Sequence, residues 1–188
     1  MCFAYRSECL SKVSYVSEKE ENEKNVTKDS TVADVMDRDV YVCHADATVG
    51  ELTDRLIELK VSSLPVVEPD DETNIIGFVS DGDIMRAIAS YGPQSIFNGA
   101  QSSMVYFDDE TTGEKVRRLA SQNVMDIATR NVVCVQSNRA IGDVARVLSK
   151  KRFKKMPVID ESGSLVGIVR RKSIIKYAFA RGLRGTEK

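Results

Sequence analysis

Ser80 and Asp83 are the residues of this chain best suited to hold a ligand. They lie in the octapeptide 77–84, Gly-Phe-Val-Ser-Asp-Gly-Asp-Ile. Ile75, Ile76, Phe78 and Val79 predict a short strand, and Ile84, Met85, Ala87 and Ile88 recur at helical spacing. A strand that opens onto a helix N-terminus gathers unpaired backbone N–H groups at one point, which suits a phosphate. The Asp83 carboxylate offers two acceptor oxygens for the two hydroxyls of a ribose. Ser80 adds a hydroxyl, Asp81 stands beside it, and Gly82 lets a ligand come close to the backbone. The same Ser-x-x-Asp spacing also describes a capping box, in which both side chains only satisfy the helix start. The octapeptide alone leaves both readings open.

Other chemistries find little support. With His44 the single histidine, no Ser/His/Asp or Cys/His set is read, and no ligand cluster surrounds it. Neither a Gly-x-x-x-x-Gly-Lys loop nor a Gly-x-Gly-x-x-Gly fingerprint occurs. The acids Asp70, Asp71, Glu72, Asp81 and Asp83 lack the dense spacing of a hard-metal loop. The four cysteines, Cys2, Cys9, Cys43 and Cys134, form no Cys-x-x-Cys pair, and Cys43 and Cys134 lie in apolar runs typical of reduced core thiols. The basic run 150–155 precedes a strand-like segment and reads as a helix end with cations suited to the dipole. No catalytic constellation emerges, so the chain is expected not to be an enzyme.

Composition sets the frame. The 188 residues are 42% hydrophobic and 29% charged with a formal net charge of −1. That suffices for a core and argues against a nucleic-acid binder working through a bulk basic field. No apolar run approaches bilayer length, and residues 1–16 have no secretory apolar core, so a cytoplasmic protein is expected.

The elements that must position Ser80 and Asp83 occur twice. Residues 40–43 read as a strand, and Val49, Leu52, Leu56, Ile57 and Leu59 mark one face of a helix. Ser63-Leu-Pro-Val-Val67 reads as a second strand, residues 68–74 as an acidic turn, and residues 75–79 as a third strand before the helix at 83–91. The order then returns at an offset of about 90 residues, the mark of an internal repeat. Asn123-Val-Met-Asp126 echoes Asp34-Val-Met-Asp37, Met156-Pro-Val-Ile159 echoes Leu64-Pro-Val-Val67, and Leu165-Val-Gly-Ile-Val169 echoes Ile75-Ile-Gly-Phe-Val79. One unit has too few apolar residues to be secure alone, whereas two packing together form an adequate core. The expected organisation is a flexible tail at 1–28, a first unit at 29–91, a linker with a helix at 92–121, a second unit at 122–182 and a short tail at 183–188.

Asp34-Val-Met-Asp37, Leu64-Pro-Val-Val67 and residues 77–84, repeated as Val124-Met125, Met156-Pro-Val-Ile159 and Gly167-Ile-Val169, resemble a tandem cystathionine-β-synthase (CBS) domain pair, or Bateman module. The resemblance covers residues 30–182. It implies an α/β (α+β) fold: two small three-stranded sheets with helices, packed sheet to sheet about a pseudo-two-fold axis and assembling as a homodimer. It also implies a non-catalytic regulatory role, sensing an adenosine-containing ligand such as AMP, ADP, ATP or S-adenosylmethionine, with or without Mg2+, and signalling to an effector protein. On this resemblance Asp83 holds the ribose and Ser80 the ribose–phosphate link. The loop from Met36 and Asp37 to Val40, with Ser63, Leu64 and Pro65, lines the adenine slot, and Ile75 and Phe78 stand behind it. The alternative implied by the same family is a ligand-independent assembly module, or a regulatory piece of a transporter or channel system.

The second copy departs from the pattern. Arg170 stands where the first has Ser80, and Ser173 where it has Asp83. A serine lacks the paired acceptors a ribose wants. Arg170, Arg171 and Lys172, with Lys154 and Lys155, either neutralise the phosphates of a nucleotide in a shared cleft or form a solvated basic face.

Overall fold

The computed structural model describes residues 14–15, 30–90, 93–98, 101–106 and 111–184. The first repeat carries β2 (Cys43–His44), α1 (Val49–Glu58), β3 (Ser63–Glu68), β4 (Asp71–Ser80) and α2 (Asp81–Ala89). The second carries β7 (Val133–Gln136), α4 (Ile141–Lys150), β8 (Lys155–Ile159), β9 (Leu165–Arg170) and α5 (Arg171–Arg184). Between them lie β5 (Pro93–Asn98), β6 (Gln101–Tyr106) and α3 (Thr112–Ala120), and β1 (Ser14–Tyr15) precedes them all.

Each repeat builds the same sheet. β2 runs parallel to β3, which pairs antiparallel with β4, and β7, β8 and β9 repeat this arrangement. Leu64, Val66 and Val79 face the helix layer and bury Leu52, Leu56 and Cys43. In the second repeat Val135, Met156, Val158 and Val169 do the same with Ile141, Val144 and Leu148. The other sheet faces meet each other. Ile75 and Phe78 of one pack on Val132, Cys134 and Ile159 of the other, and Val42 and Val67 pack on Leu165. The sheets thus pack face to face as the duplication implies, each apolar on both sides.

The segment leading into each repeat crosses to the other one. Residues 30–37 form a 3-10 turn at Val32–Asp34 that docks on the second repeat. Val32 N–H donates to Arg139 O at 2.9 Å, Ile141 N–H donates to Ser30 O at 3.2 Å, and Asp37 exchanges backbone hydrogen bonds with Ile168. Fully buried Val32 joins the second core, with Val35 and Met36 against it. Reciprocally, the turn Val124–Asp126 docks on the first repeat. Val124 N–H donates to Ala47 O, Val49 N–H donates to Gln122 O, both at 2.9 Å, and Phe78 exchanges hydrogen bonds with Thr129. Val124, Met125, Ile127 and Ala128 close the first core.

Two glycines make this exchange possible. A Cβ on Gly167 would lie 2.7 Å from Met36 Sδ and 3.1 Å from the Asp37 carbonyl oxygen. A Cβ on Gly77 would meet Val66 Cβ at 3.3 Å and Met125 Sδ at 3.4 Å. The crossing methionine lies on the bare strand in both cases.

Several sequence expectations need correction. The proposed tail contributes a strand, since Ser14–Tyr15 pairs parallel with Val133 and Cys134 and makes the second sheet four-stranded. The rest of residues 1–29 lies outside the described residues. The linker contains an antiparallel hairpin, β5–β6, before its helix. The acidic turn shrinks to Pro69 and Asp70 because β4 begins at Asp71. The strand expected at 40–43 is reduced to Cys43–His44.

Gly167→Ala is expected to destabilise the protein by about 1–3 kcal/mol in urea denaturation, the usual cost of overpacking, and by more than Gly77→Ala. In a double-mutant cycle Met36→Ala should relieve part of the Gly167→Ala cost. Strict additivity would contradict the contact.

Candidate functional site

β4 ends at Ser80, and α2 starts at Asp81 because Ser80 turns extended backbone into helix. Asp83 is only 7% exposed. The Ser80 N–H donates to Asp83 Oδ2 at 2.7 Å and the Ser80 hydroxyl to the same oxygen at 2.6 Å. Asp83 Oδ1 takes the Arg86 guanidinium. The capping-box reading is therefore realised, with a buried carboxylate at the strand-to-helix junction. Asp83, Arg86, Ser90, Arg118, Gln122 and Asp126 line a cavity of about 420 Å³, within the size range of small-molecule pockets. Asp81 is exposed, its N–H donates to Ser62 O, and its Oδ1 accepts the Gly82 N–H at 2.7 Å. Gly82 is not sterically required here, since a Cβ would find only ordinary contacts with Ser80 Oγ and Arg86.

The remaining residues of the expected slot divide between two places. Met36 and Asp37 lie against Gly167, Ile168 and Arg170 in the second repeat. The Asp37 carboxylate sits 3.1 Å from Arg170 Nε without hydrogen-bond alignment. Ser63 pairs with Ser80 across β3–β4, and its carbonyl accepts the Lys155 ammonium from the second repeat at 2.8 Å. Pro65 pairs with Phe78. Leu64 is excluded as a lining side chain, because strand alternation turns it into the first core at 2% exposure. Ile75 is buried between the sheets, with Phe78 partly so, and Val40 packs beside Val42, Val67 and Leu165. The single slot drawn from the sequence is thus corrected to two related corners. One holds Phe78, Ser80 and Asp83 with Thr129, and the other holds Met36, Asp37 and Arg170. The cause is the exchange of lead-in segments, which brings the 36–40 loop to β9 rather than β4. Thr129 and Asp126 were missed in the sequence. The repeat as read set Asp126 against Asp37, whereas the structure gives Thr129, three residues on, the bridge to Phe78 that Asp37 makes to Ile168.

The second corner is basic. Lys155 pairs with Arg170 across β8–β9 just as Ser63 pairs with Ser80. Lys60, Val61 and Ser62 from the first repeat, and Lys154, Lys155, Arg170, Arg171, Lys172 and Ile175 from the second, line a cavity of about 490 Å³. Burial and the Arg170 charge push the Lys155 ammonium down to about 8, with Asp81 opposing. Arg171 is spoken for, since its guanidinium donates to the Leu148 and Phe153 carbonyls at the end of α4, both at 2.9 Å. A wider depression of about 710 Å³ lies apart from both corners, around His44, Glu51 and Asp54 on the outer side of the first repeat. Cys43 and Cys134 are buried free thiols, and burial pushes them up to about 11 and about 12. Among the described residues no group of three or more His, Cys, Asp or Glu could hold a metal ion. No helix among them is long and apolar enough to cross a membrane.

Two face-to-face sheets, two strand-to-helix corners and exchanged lead-ins define a paired α/β module. The CBS domain profile matches residues 32–90 and 124–180. The chain belongs to the CBS domain family. It is 29% identical over 158 residues to the chloroplastic CBS domain-containing protein CBSX2 of Arabidopsis thaliana, a match covering 79% of this chain and 63% of that protein. The chloroplastic CBSX1 of the same plant is 28% identical over 156 residues, covering 79% and 64%. The chain therefore spans somewhat under two-thirds of these relatives. The crystal structure of CBSX2 from Arabidopsis thaliana superposes with a TM-score of 0.62 at 25% identity, covering 81% of this chain and 96% of that one. The CBS domain pair of protein MJ0100, crystallised with 5′-methylthioadenosine and S-adenosyl-L-methionine, gives 0.59 at 20% identity, covering 81% and 98%.

Lys155 ties stability to pH. Its folded value of about 8 lies below the ordinary 10.5, so the unfolded chain holds more protons between these values, and stability contributed by this group rises with pH through that window. Lys155→Met should exceed or approach wild type most at pH 7, and its relative stability should fall steadily from pH 8 to 10. A pH-independent difference would contradict the depressed ammonium. The buried thiols make a second expectation: at pH 8 no more than two of the four cysteines should react with a thiol reagent before unfolding, and all four in urea.

Proposed function

We propose that this chain is a regulatory sensor of adenine nucleotides, AMP, ADP or ATP, held at the β4–α2 corner. The observation that carries the reading is Asp83, a buried carboxylate at a strand-to-helix junction beside a small-molecule-sized cavity in a CBS pair. To bind, the carboxylate exchanges Arg86 and the Ser80 hydroxyl for the ribose diol, and Ser80 and the α2 backbone take the first phosphate. CBSX2 has been crystallised with AMP, which supports the class of ligand. Mg2+ arrives only with the phosphates of ATP. The protein works without catalysis, in the cytoplasm, as a homodimer whose shape an effector protein reads through differential affinity for its two states.

A specific observation favours a second reading. Both Asp83 oxygens already have partners inside the chain, as a ligand-independent assembly module would require. The two are separated by thermal shift with AMP, ADP, ATP, S-adenosylmethionine and NAD. A ligand at 100 times its Kd should stabilise the fold by about 2.7 kcal/mol, a rise of about 5–10 °C in Tm at this chain length. Asp83→Ala should abolish that rise for the responding ligand, beyond its own loss of about 1 kcal/mol from the cap. Absence of any rise across the panel supports the assembly reading.

A further inference from the structure

The two corners of the duplicated body have opposite charge. At the first, α2 begins with Asp81 and Asp83. At the second, α5 has no acid in its first turn and begins Arg171-Lys172. Cations at a helix N-terminus oppose the dipole, and here they join others in a concave space. Lys60 approaches from the loop after α1, Lys154 and Lys155 from the start of β8, Arg170 from the end of β9 and Lys172 from α5. No acid lines this cavity. Lys60, Lys154 and Lys172 make no side-chain hydrogen bond or ion pair among the described residues. A solvated basic face spreads its charges outward. These line about 490 Å³ from both repeats, and Lys155 pairs with Arg170 across β8–β9. Asp37, outside the lining, touches Arg170 through a single misaligned contact and leaves Oδ2 without a hydrogen bond.

We propose that this cavity is a separate site for an oligophosphate chain, in which Arg170 exchanges the Asp37 carboxylate for phosphate oxygens and Lys60, Lys154, Lys155 and Lys172 surround the remaining charge. A guanidinium fork takes two oxygens of one phosphate, and mobile ammoniums track the others. Ser173 replaces the acid that a ribose would need, so the corner selects phosphates without a nucleoside. Because Asp37 belongs to the lead-in of the first repeat and Arg170 to the second, the exchange loosens one contact between halves and makes a new one through Lys60. The same chemistry has two sources, a free inorganic oligophosphate or the tail of a nucleotide, and the site does not depend on Asp83.

Isothermal titration calorimetry with inorganic triphosphate in Mg2+-free, low-salt buffer tests this. The full chain should bind one triphosphate, and added salt should weaken it steeply. Arg170→Ala/Lys172→Ala and, independently, Lys60→Ala/Lys154→Ala should each weaken binding at least tenfold while retaining cooperative melting. Asp37→Asn should strengthen it several-fold by removing the competitor. Failure of triphosphate to bind, or binding that neither pair of substitutions weakens, overturns the site. An unchanged affinity in Asp37→Asn overturns the exchange. A parallel titration with ATP in Asp83→Ala distinguishes the sources. If ATP then binds like triphosphate, the phosphate tail alone is recognised. If the ATP response of the full chain is lost while triphosphate still binds, the two sites stand independently. If adenine nucleotides never bind but triphosphate does, the nucleotide reading fails and this one holds.

Discussion

Everything in this structure rests on the exchange of two short strips between the halves. Val32 and Val124 are each fully buried, and each lies in the core of the half it does not precede. Burying a valine contributes about 1.5–3 kcal/mol, and each strip adds backbone hydrogen bonds on both flanks. The halves are thus closed by each other through these strips as well as through the contact of their sheets. Phe78 with Thr129, and Ile168 with Asp37, then add a backbone rung to the outer edge of each sheet.

That exchange also determines what each corner can contain. Whatever stands two residues before a β–α junction in one half is faced by the lead-in of the other, so a ligand at either corner touches both repeats. Duplication gave two equivalent corners, and substitution made them unlike. Ser80 and Asp83 make an acid-bearing corner, whereas Arg170, Lys155 and Lys172 make a cation-rich one. Lys155 sits where its counterpart is Ser63, which couples the second corner to the first through the Ser63 carbonyl.

The periodicities that define a strand or an amphipathic helix are local, and they were legible. Val49, Leu52 and Leu56 mark the buried face of α1, although Ile57, read onto the same face, is exposed, and Ile141, Val144 and Leu148 mark that of α4. The Ser80–Asp83 pair could be found because its two residues lie three positions apart at one strand-to-helix junction. The assignment of Met36 and Asp37 was not legible, since no local pattern says which half a lead-in joins. Leu64 looked like a slot residue only because the motif around it was read as a string, without the alternation that turns it inward. The hairpin β5–β6 was missed because residues 92–121 were read as a linker with a helix, although Asn98-Gly99 is a hairpin turn signal. The pairing of β1 with β7 spans more than a hundred residues, beyond the reach of any windowed pattern.

The reciprocal strips have a consequence for how the polypeptide is made. A ribosome delivers the chain from its N-terminus, and domains ordinarily fold as they emerge. When α2 has left the exit tunnel, the first sheet and its helices exist, but the strip that seals them, Val124 to Ala128, has not been synthesised. Residues 32–36 meanwhile wait for a half that lies entirely downstream. The first half can be sealed as soon as residues 124–128 emerge, ahead of β7, whereas the second is sealed by a strip delivered long before it.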